Sequence, residues 1–239
     1  MSVRRRRASS AQLRSTSGTP TLRAYFLSLH RNFSFSGVLQ IYASIHSYLI
    51  DMRQIIIFEG VELAGKSWVM SQLYPLLETQ GNTNPLWLNG CIWFNCDIGL
   101  LGDTYGQTFI DHQIKLAQNI PDRTMLWEKF HISDAAYRTF HGLEKISYNA
   151  TEEQLLALGA RIVFCRVNPD EALFQQRLTD RLRLYPHYQR IAKSPADYIR
   201  LQGIYEQIVT ESKLPSLTVD TSHLPNINLV SQISSWLAT

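Results

Sequence analysis

The chain has 239 residues, of which 45% are apolar, 18% charged and 11% aromatic. This is the composition of an ordinary globular protein, and it excludes a disordered tail, a collagen and a coiled coil. The net charge of +3 arises in the first 50 residues, which hold seven arginines and no acidic residue, while the remainder carries 16 basic against 20 acidic side chains. The basic balance is therefore local and gives no reason to expect a nucleic-acid partner.

Cysteine usage and hydropathy limit the class of protein further. Cys91, Cys96 and Cys165 are too few and too irregularly spaced for a disulfide framework or a zinc site, which favours a reducing compartment. No apolar stretch reaches the roughly 18 uninterrupted residues of a membrane-spanning helix. We therefore expect a soluble protein with no membrane partner.

Residues 1–51 differ in composition from the rest. The first 50 contain ten serines beside the seven arginines, as in an organellar transit peptide. Alternatively, Met52 is the natural start, because a buried strand begins directly after it. The first interpretation predicts an organellar protein and the second a cytoplasmic one. Both predict a poorly ordered extension followed by one folded domain over residues 52–239.

From residue 54 onwards, the chain alternates short apolar runs with segments of helical periodicity. The first run, Gln54-Ile-Ile-Ile-Phe58, is typical of a strand buried on both faces. The predicted strands are residues 54–58, 91–96, 124–127, 161–167 and 217–219. The predicted helices are residues 67–79, 108–119, 132–141, 151–158, 170–182, 196–211 and 226–237. Strands this far apart cannot form hairpins, so the pattern predicts an α/β protein with a parallel sheet covered on both faces.

The strongest motif follows the first predicted strand and reads Gly60-Val61-Glu62-Leu63-Ala64-Gly65-Lys66-Ser67. It matches G-x-x-x-x-G-K-[ST] in full and lies between a buried strand and a helix, as a phosphate-binding loop must. Main-chain N–H groups surround the polyphosphate oxygens, Lys66 neutralises their charge and the Ser67 hydroxyl ligates Mg²⁺. We expect this loop, with Trp68 directly after it, to bind ATP.

The same region resembles a known family. Phe58-Glu59-Gly60-Val61-Glu62 followed by Ala64-Gly65-Lys66-Ser67 is similar to the FEGxDGxGK[ST] opening of thymidylate kinases and related nucleoside and nucleotide kinases. The resemblance implies that Glu62 approaches the sugar of the acceptor nucleotide. Leu63 departs from the small or basic residue usual at its position, although the positions that face phosphate are intact.

A second segment with this resemblance follows the third predicted strand and reads Glu128-Lys129-Phe130-His131-Ile132-Ser133-Asp134-Ala135-Ala136-Tyr137-Arg138. Thymidylate kinases carry a DRYxxSSxAYQ-like segment here with the same spacing. The resemblance implies that Glu128 holds the Mg²⁺ shell, that Lys129 contacts a phosphate, and that Ser133, Tyr137 and Arg138 line the acceptor site. Lysine cannot form the two-pronged bond of arginine, so a different acceptor geometry or substrate stays open. A solvated surface pair is the alternative for Glu128 and Lys129.

Two further features bear on catalysis. Nucleotide kinases of this class have a mobile lid at residues 176–191, and here Arg177 and Arg181 lie one helical turn apart, so we expect them to close on the triphosphate. The same spacing is also typical of a solvated helix face. Residues 94–99 contain no arginine, where thymidylate kinases usually grip the monophosphate. Asp97 in this stretch is either a base that positions an acceptor hydroxyl or a helix cap.

The resemblance implies a three-layer P-loop fold with a parallel, roughly five-stranded sheet and a helical lid over residues 52–239. It implies transfer of the ATP γ-phosphoryl, with Mg²⁺ as cofactor, to a nucleotide acceptor, with dTMP to dTDP as the first expectation. A deoxynucleoside or other small-alcohol kinase, and a nucleotide-binding or NTP-hydrolysing regulatory module, are the alternatives. Relatives are often dimers, which makes a homodimer an inherited expectation.

Overall fold

One parallel sheet forms the centre of the protein. The structure, a computed structural model, describes residues 53–96 and 105–239, so the predicted N-terminal extension and Asp97 lie outside the described residues. The strands are β1 (Ile55–Glu59), β2 (Cys91–Asn95), β3 (Thr124–Glu128), β4 (Ala160–Arg166) and β5 (Ser216–Asp220). They lie in the order β2-β3-β1-β4-β5, with every pair parallel. This confirms the predicted five-stranded parallel sheet.

Burial along the strands follows their place in the sheet. Every residue of β1 and β3 is buried, whereas β5 at one edge is mostly exposed. The apolar run 54–58 is therefore continuous because the sheet is covered on both faces there. Cys91, Cys96 and Cys165 are buried free thiols.

Seven α-helices and a 3-10 helix connect and cover the strands in the part of the chain that the structure describes. They are α1 (Lys66–Gly81), α2 (Gly106–Asn119), α3 (His131–Phe140), α4 (Asn149–Ala157), α5 (Glu171–Leu184), the 3-10 helix Pro186–Arg190, α6 (Pro195–Glu211) and α7 (Asn228–Leu237). Each predicted helix is present, with ends displaced by one to a few residues. Over the described ranges, no helix has the length and apolarity needed to span a membrane.

Side chains of β4 show that helices cover opposite faces of the sheet. The Arg161 guanidinium donates to the Trp236 carbonyl of α7 at 2.9 Å, whereas the Phe164 ring stacks on Tyr205 of α6. Residues three apart on a strand point to opposite faces. The helix–sheet–helix arrangement confirms the predicted three layers.

Candidate functional site

The loop between β1 and α1 has a backbone conformation that requires glycine at its first position, Gly60. Gly60 has a φ of 136°, and a Cβ atom there would lie 2.5 Å from the carbonyl oxygen of Cys165 on β4. Only glycine allows the chain to turn this close to the neighbouring strand. Leu63 also adopts a left-handed φ of 70°, an unusual conformation for a residue with a side chain. We refer to residues 60–67 as the glycine loop.

The glycine loop leads into the exposed N-terminus of α1. The cap residue is Gly65, with a φ of 75°, and no described side chain accepts a hydrogen bond from the first turn. The first turn also contains no acidic residue. Its amide hydrogens and the positive end of the helix dipole are thus available to an anion, as predicted from the motif.

Lys66 lies inside the glycine loop. Its ammonium donates to the carbonyl oxygens of Gly60 at 2.6 Å and Val61 at 2.8 Å, and the residue is 4% exposed. Burial is the main cause that lowers the pKa of Lys66, and the positive charge of Lys129 lowers it further. The negative charges of Glu128 and Glu62 raise it. The structure therefore places the cation predicted to meet phosphate within the loop and brings Lys129 near it.

Ser67 and Glu128 form a pair of oxygen ligands beside the loop. Phe58 of β1 is in register with Glu128 of β3, so the two adjacent strands end side by side. The Ser67 hydroxyl donates to the Glu128 carboxylate over 2.6 Å. Glu128 is only 7% exposed, which excludes a solvated surface pair for this residue. These two residues, predicted to hold a metal, are thus brought together by the tertiary structure.

Lys129 follows Glu128 in a left-handed conformation. Its φ is 65°, and its amide donates to the Phe58 carbonyl at 2.9 Å. Backbone strain of this kind persists where the surrounding structure enforces it, and it is frequent at functional sites. The turn places Lys129 at the carboxyl edge of the sheet, where ligands bind in α/β proteins.

Glu59, which the sequence analysis did not identify as a site residue, holds this turn in place. The residue is fully buried, and its carboxylate accepts hydrogen bonds from the amide of Phe130 at 2.8 Å and the hydroxyl of Ser133 at 2.5 Å. Burial raises the pKa of Glu59, although the hydrogen bonds from Ser133 and Phe130 lower it. An acid at the end of an otherwise apolar buried strand was the signal for such a role, because a buried carboxyl requires partners.

Ser133 lies inside the packing of the protein, and its predicted contact with an acceptor stays a prediction. It is fully buried, and besides its bond to Glu59 its oxygen accepts a hydrogen bond from the Tyr205 hydroxyl at 2.9 Å. These partners use the hydroxyl inside the packing of α3, α6 and β1. The correct residue type at the family spacing thus has a structural role here.

The Arg138 side chain also pairs with another residue of α3. Its guanidinium pairs with Asp134 one helical turn earlier at 2.8 Å, and Asp134 in turn accepts a hydrogen bond from Tyr148 at 2.5 Å. Arg138 and Tyr148 border a cavity of about 280 Å³ whose lining comes mainly from α3, α4, α6 and residues 145–148. Arg138 thus pairs with Asp134 and borders this cavity, and its predicted contact with an acceptor stays a prediction.

Tyr137 and Glu62 both lie close to Lys193, a residue that the sequence did not indicate. The Lys193 ammonium lies 3.5 Å from Glu62 Oε1 and 5.2 Å from the centre of the Tyr137 ring. On the other side, the Tyr137 ring stacks nearly parallel to His141. Lys193 belongs to no sequence motif. It reaches the glycine loop because the segment between the 3-10 helix and α6 lies next to that loop in the folded protein.

The two predicted lid arginines lie on α5 in different environments. The Arg177 guanidinium donates to the carbonyl oxygens of Leu63 at 2.7 Å, Ser222 at 3.0 Å and Thr221, and so joins the glycine loop to the turn after β5. Arg181 is exposed and lies over the rings of Tyr185 and Tyr188, 5.2 Å from each centre. The segment is helical as predicted, while contact of either arginine with phosphate stays a prediction.

Known structures share this architecture. No protein-family model and no curated protein sequence matches the chain. Polyphosphate kinase 2 from Arthrobacter aurescens TC1 matches with a TM-score of 0.58 at 13% identity, over 85% of this chain and 75% of that one. The YorR protein from Bacillus subtilis, in complex with phosphorylated GDP, matches with a TM-score of 0.53 at 18% identity, over 77% of this chain and 95% of that one. Deoxyadenosine kinase from M. mycoides, with bound dATP, matches with a TM-score of 0.51 at 16% identity, over 78% and 100%.

The chain has the P-loop fold. Identities of this size establish common architecture, so the activity has to be argued from the residues of the site.

Proposed function

We propose that the protein is a kinase that transfers the γ-phosphoryl group of ATP to a nucleotide acceptor. The observation that carries the proposal is the contact between Ser67 and Glu128 at 2.6 Å, at the end of a glycine loop that contains a buried Lys66 and leads into a helix N-terminus without a side-chain cap. A glycine-rich turn without function needs neither the hydroxyl nor the buried acid at this place. The nucleotides in the YorR and deoxyadenosine kinase structures also support a nucleotide ligand.

Charge stabilisation is the main contribution of the protein to such a reaction. The phosphoryl group in transfer spreads negative charge over its equatorial oxygens, and catalysis is mostly positioning and electrostatic stabilisation. The amides of the glycine loop and α1 orient the phosphate chain. Lys66 and Lys129, close enough for the charge of one to lower the pKa of the other, supply the positive charge that favours the transition state.

Mg²⁺ fits the ligands that the site offers. It prefers oxygen ligands and usually keeps several waters while binding one or two protein groups and the substrate phosphates. The Ser67 hydroxyl and the Glu128 carboxylate are such groups, and the described residues hold no cluster of three or more metal-binding His, Cys, Asp or Glu side chains. Ser67 and Glu128 would hold the ion, and the ion would neutralise part of the phosphate charge.

For the acceptor, the proposal follows the thymidylate kinase resemblance. Glu62 of the glycine loop and Tyr137 of α3 lie on the same ammonium group, that of Lys193, which supports an acceptor site next to the loop. We therefore propose dTMP, converted to dTDP, as the first acceptor to test. A deoxynucleoside or other small alcohol is the second candidate, because residues 94–99 supply no arginine for a monophosphate.

A panel of acceptors with γ-labelled ATP and Mg²⁺ tests the proposal. The panel contains the nucleoside monophosphates, the deoxynucleosides and a control without acceptor, and Glu128→Gln serves as the matched variant. Label in a diphosphate supports the first candidate and label in a monophosphate supports the second. Rapid release of phosphate without acceptor would instead indicate an NTP-hydrolysing module. Absence of both transfer and hydrolysis would refute the proposal.

A further inference from the structure

One carboxylate oxygen of Glu62 forms an ion pair, and the other has no hydrogen-bond partner within residues 53–96 and 105–239. Oε1 lies 3.5 Å from the Lys193 ammonium, and the side chains of Glu62 and Lys193 are 11% and 15% exposed. Oε2 is buried and has no hydrogen-bond partner among the described residues. In the part of the chain that the structure describes, the ion pair of Oε1 with Lys193 is therefore the contact that orients this carboxylate.

The position of Lys193 is fixed by groups other than Glu62. Its ammonium lies over the rings of Tyr137 and Tyr198, 5.2 Å and 5.8 Å from their centres, and its own amide donates to the Tyr198 hydroxyl at 3.2 Å. Tyr198 is fully buried and also hydrogen-bonds Tyr188 at 2.9 Å. The aromatic rings attract the cation and hold it in place. Lys193 is therefore a prearranged anchor to which Glu62 is attached.

We propose that Lys193 is a positioning residue that holds the Glu62 carboxylate by Oε1. The inference rests on the proposed kinase function, for which the resemblance to thymidylate kinases implies that Glu62 approaches the acceptor sugar, and it adds Lys193 to that site. The sugar hydroxyl that Glu62 would contact is one that is not phosphorylated. In dTMP this is the 3′-hydroxyl, at the other side of the sugar from the 5′-phosphate.

The anchor also explains why the glycine loop and the segment before α6 meet. Lys193 lies between the 3-10 helix and α6, whereas Glu62 belongs to the glycine loop. An ion pair this far from solvent is screened little, so its geometry is retained at ordinary salt concentrations. Without the ammonium, the Glu62 carboxylate loses its orientation, and a misplacement near 1 Å is enough to reduce acceptor use.

The test is a double-mutant cycle with steady-state kinetics. The variants are Lys193→Gln, Glu62→Gln and the double variant, with Lys213→Gln as control because it breaks an exposed ion pair with Glu153. Each is assayed with the acceptor that the panel selects, dTMP first, and with its analogue that lacks the second hydroxyl, 3′-deoxythymidine 5′-monophosphate. ATP affinity and thermal unfolding are measured for every variant. Lys193→Met, which keeps the aliphatic stem between the tyrosine rings, repeats the cycle in case Lys193→Gln is unstable.

We expect Lys193→Gln to lower kcat/KM for the hydroxylated acceptor about tenfold, while KM for ATP stays within about twofold. We expect the loss to disappear with the deoxy analogue and in the Glu62→Gln background, because both lack the bond that Lys193 supports. Lys193→Arg should recover most of the activity. An equal loss in the Glu62→Gln background, or no loss at all, overturns the role of Lys193 while leaving kinase activity intact. Wild-type protein that phosphorylates no acceptor overturns the proposed function and this inference with it.

Discussion

Replacing Arg177 with leucine tests whether this arginine supports the glycine loop or serves only the triphosphate. In the structure its guanidinium donates to the carbonyls of Leu63, Thr221 and Ser222. Burial lowers its pKa, as expected for a cation that is partly removed from water. Leucine fills most of the volume of the stem but leaves the three carbonyl oxygens without their donor.

The size of the effect follows from these bonds. A hydrogen bond to a charged group contributes about 1.5–3 kcal/mol. Two donor atoms serve the three acceptors, and solvent reaches part of the group, so we expect the free energy of unfolding to fall by about 2–4 kcal/mol. For a domain of this length, that corresponds to a decrease in Tm of roughly 5–15 °C. Leu63, whose left-handed conformation Arg177 holds, should also lose its fixed position, so ATP affinity should fall.

Urea unfolding and ATP titration measure both effects. The matched control for the unfolding measurement is Arg181→Leu, since Arg181 lies on the same helix, is exposed, and contacts tyrosine rings in the described structure. Cation–π contacts at exposed sites contribute about 0.5–1 kcal/mol each, so the control should unfold within about 2 kcal/mol of the wild type. Equal stability of Arg177→Leu and wild type would refute the structural role of Arg177 and leave a purely catalytic one.

Four further outcomes are expected. Lys66→Ala should abolish phosphoryl transfer while circular dichroism shows an intact fold; retained turnover would contradict the site. Arg181→Ala should lower kcat more than ATP affinity if this arginine closes on the triphosphate, and an unchanged kcat would remove it from the mechanism. Burial raises the pKa of Glu59, so the contribution of this carboxyl group to stability is complete at low pH and is lost as the pH rises above the ordinary value of 4.5. The Tm of Glu59→Gln should therefore rise relative to the Tm of the wild type between about pH 4 and pH 8. Parallel Tm curves would refute this. A protein that begins at Met52 should fold and keep its activity, and an insoluble product would show that residues 1–51 are needed.

The agreement between sequence and structure is best where function requires local backbone geometry. The glycine loop was predicted because its glycines, lysine and hydroxyl must follow one another between a strand and a helix. The motif predicted Ser67 as a Mg²⁺ ligand, and the resemblance to thymidylate kinases implied the same role for Glu128. The structure brings these two side chains to a contact of 2.6 Å.

The sequence did not show which residues surround two predicted acceptor-site side chains on α3. Ser133 and Arg138 have the family spacing, yet Ser133 is buried against Glu59 and Tyr205, and Arg138 turns to Asp134. Spacing along a helix gives the angle between side chains, but not which neighbouring element covers each face. The packing of α3 against α6 decides that, and α6 begins more than fifty residues later in the chain.

The amino-acid sequence alone determined the strand–loop–helix unit, the parallel sheet and the glycine loop with its lysine and hydroxyl, because these depend on residues adjacent in the chain and on the periodicity of apolar side chains. Only the tertiary structure decided that Lys193 meets Glu62 and that Arg177 joins the glycine loop to the turn after β5. Such contacts connect segments that are distant in sequence, and they form because the helices that carry them must bury their apolar faces on the same sheet.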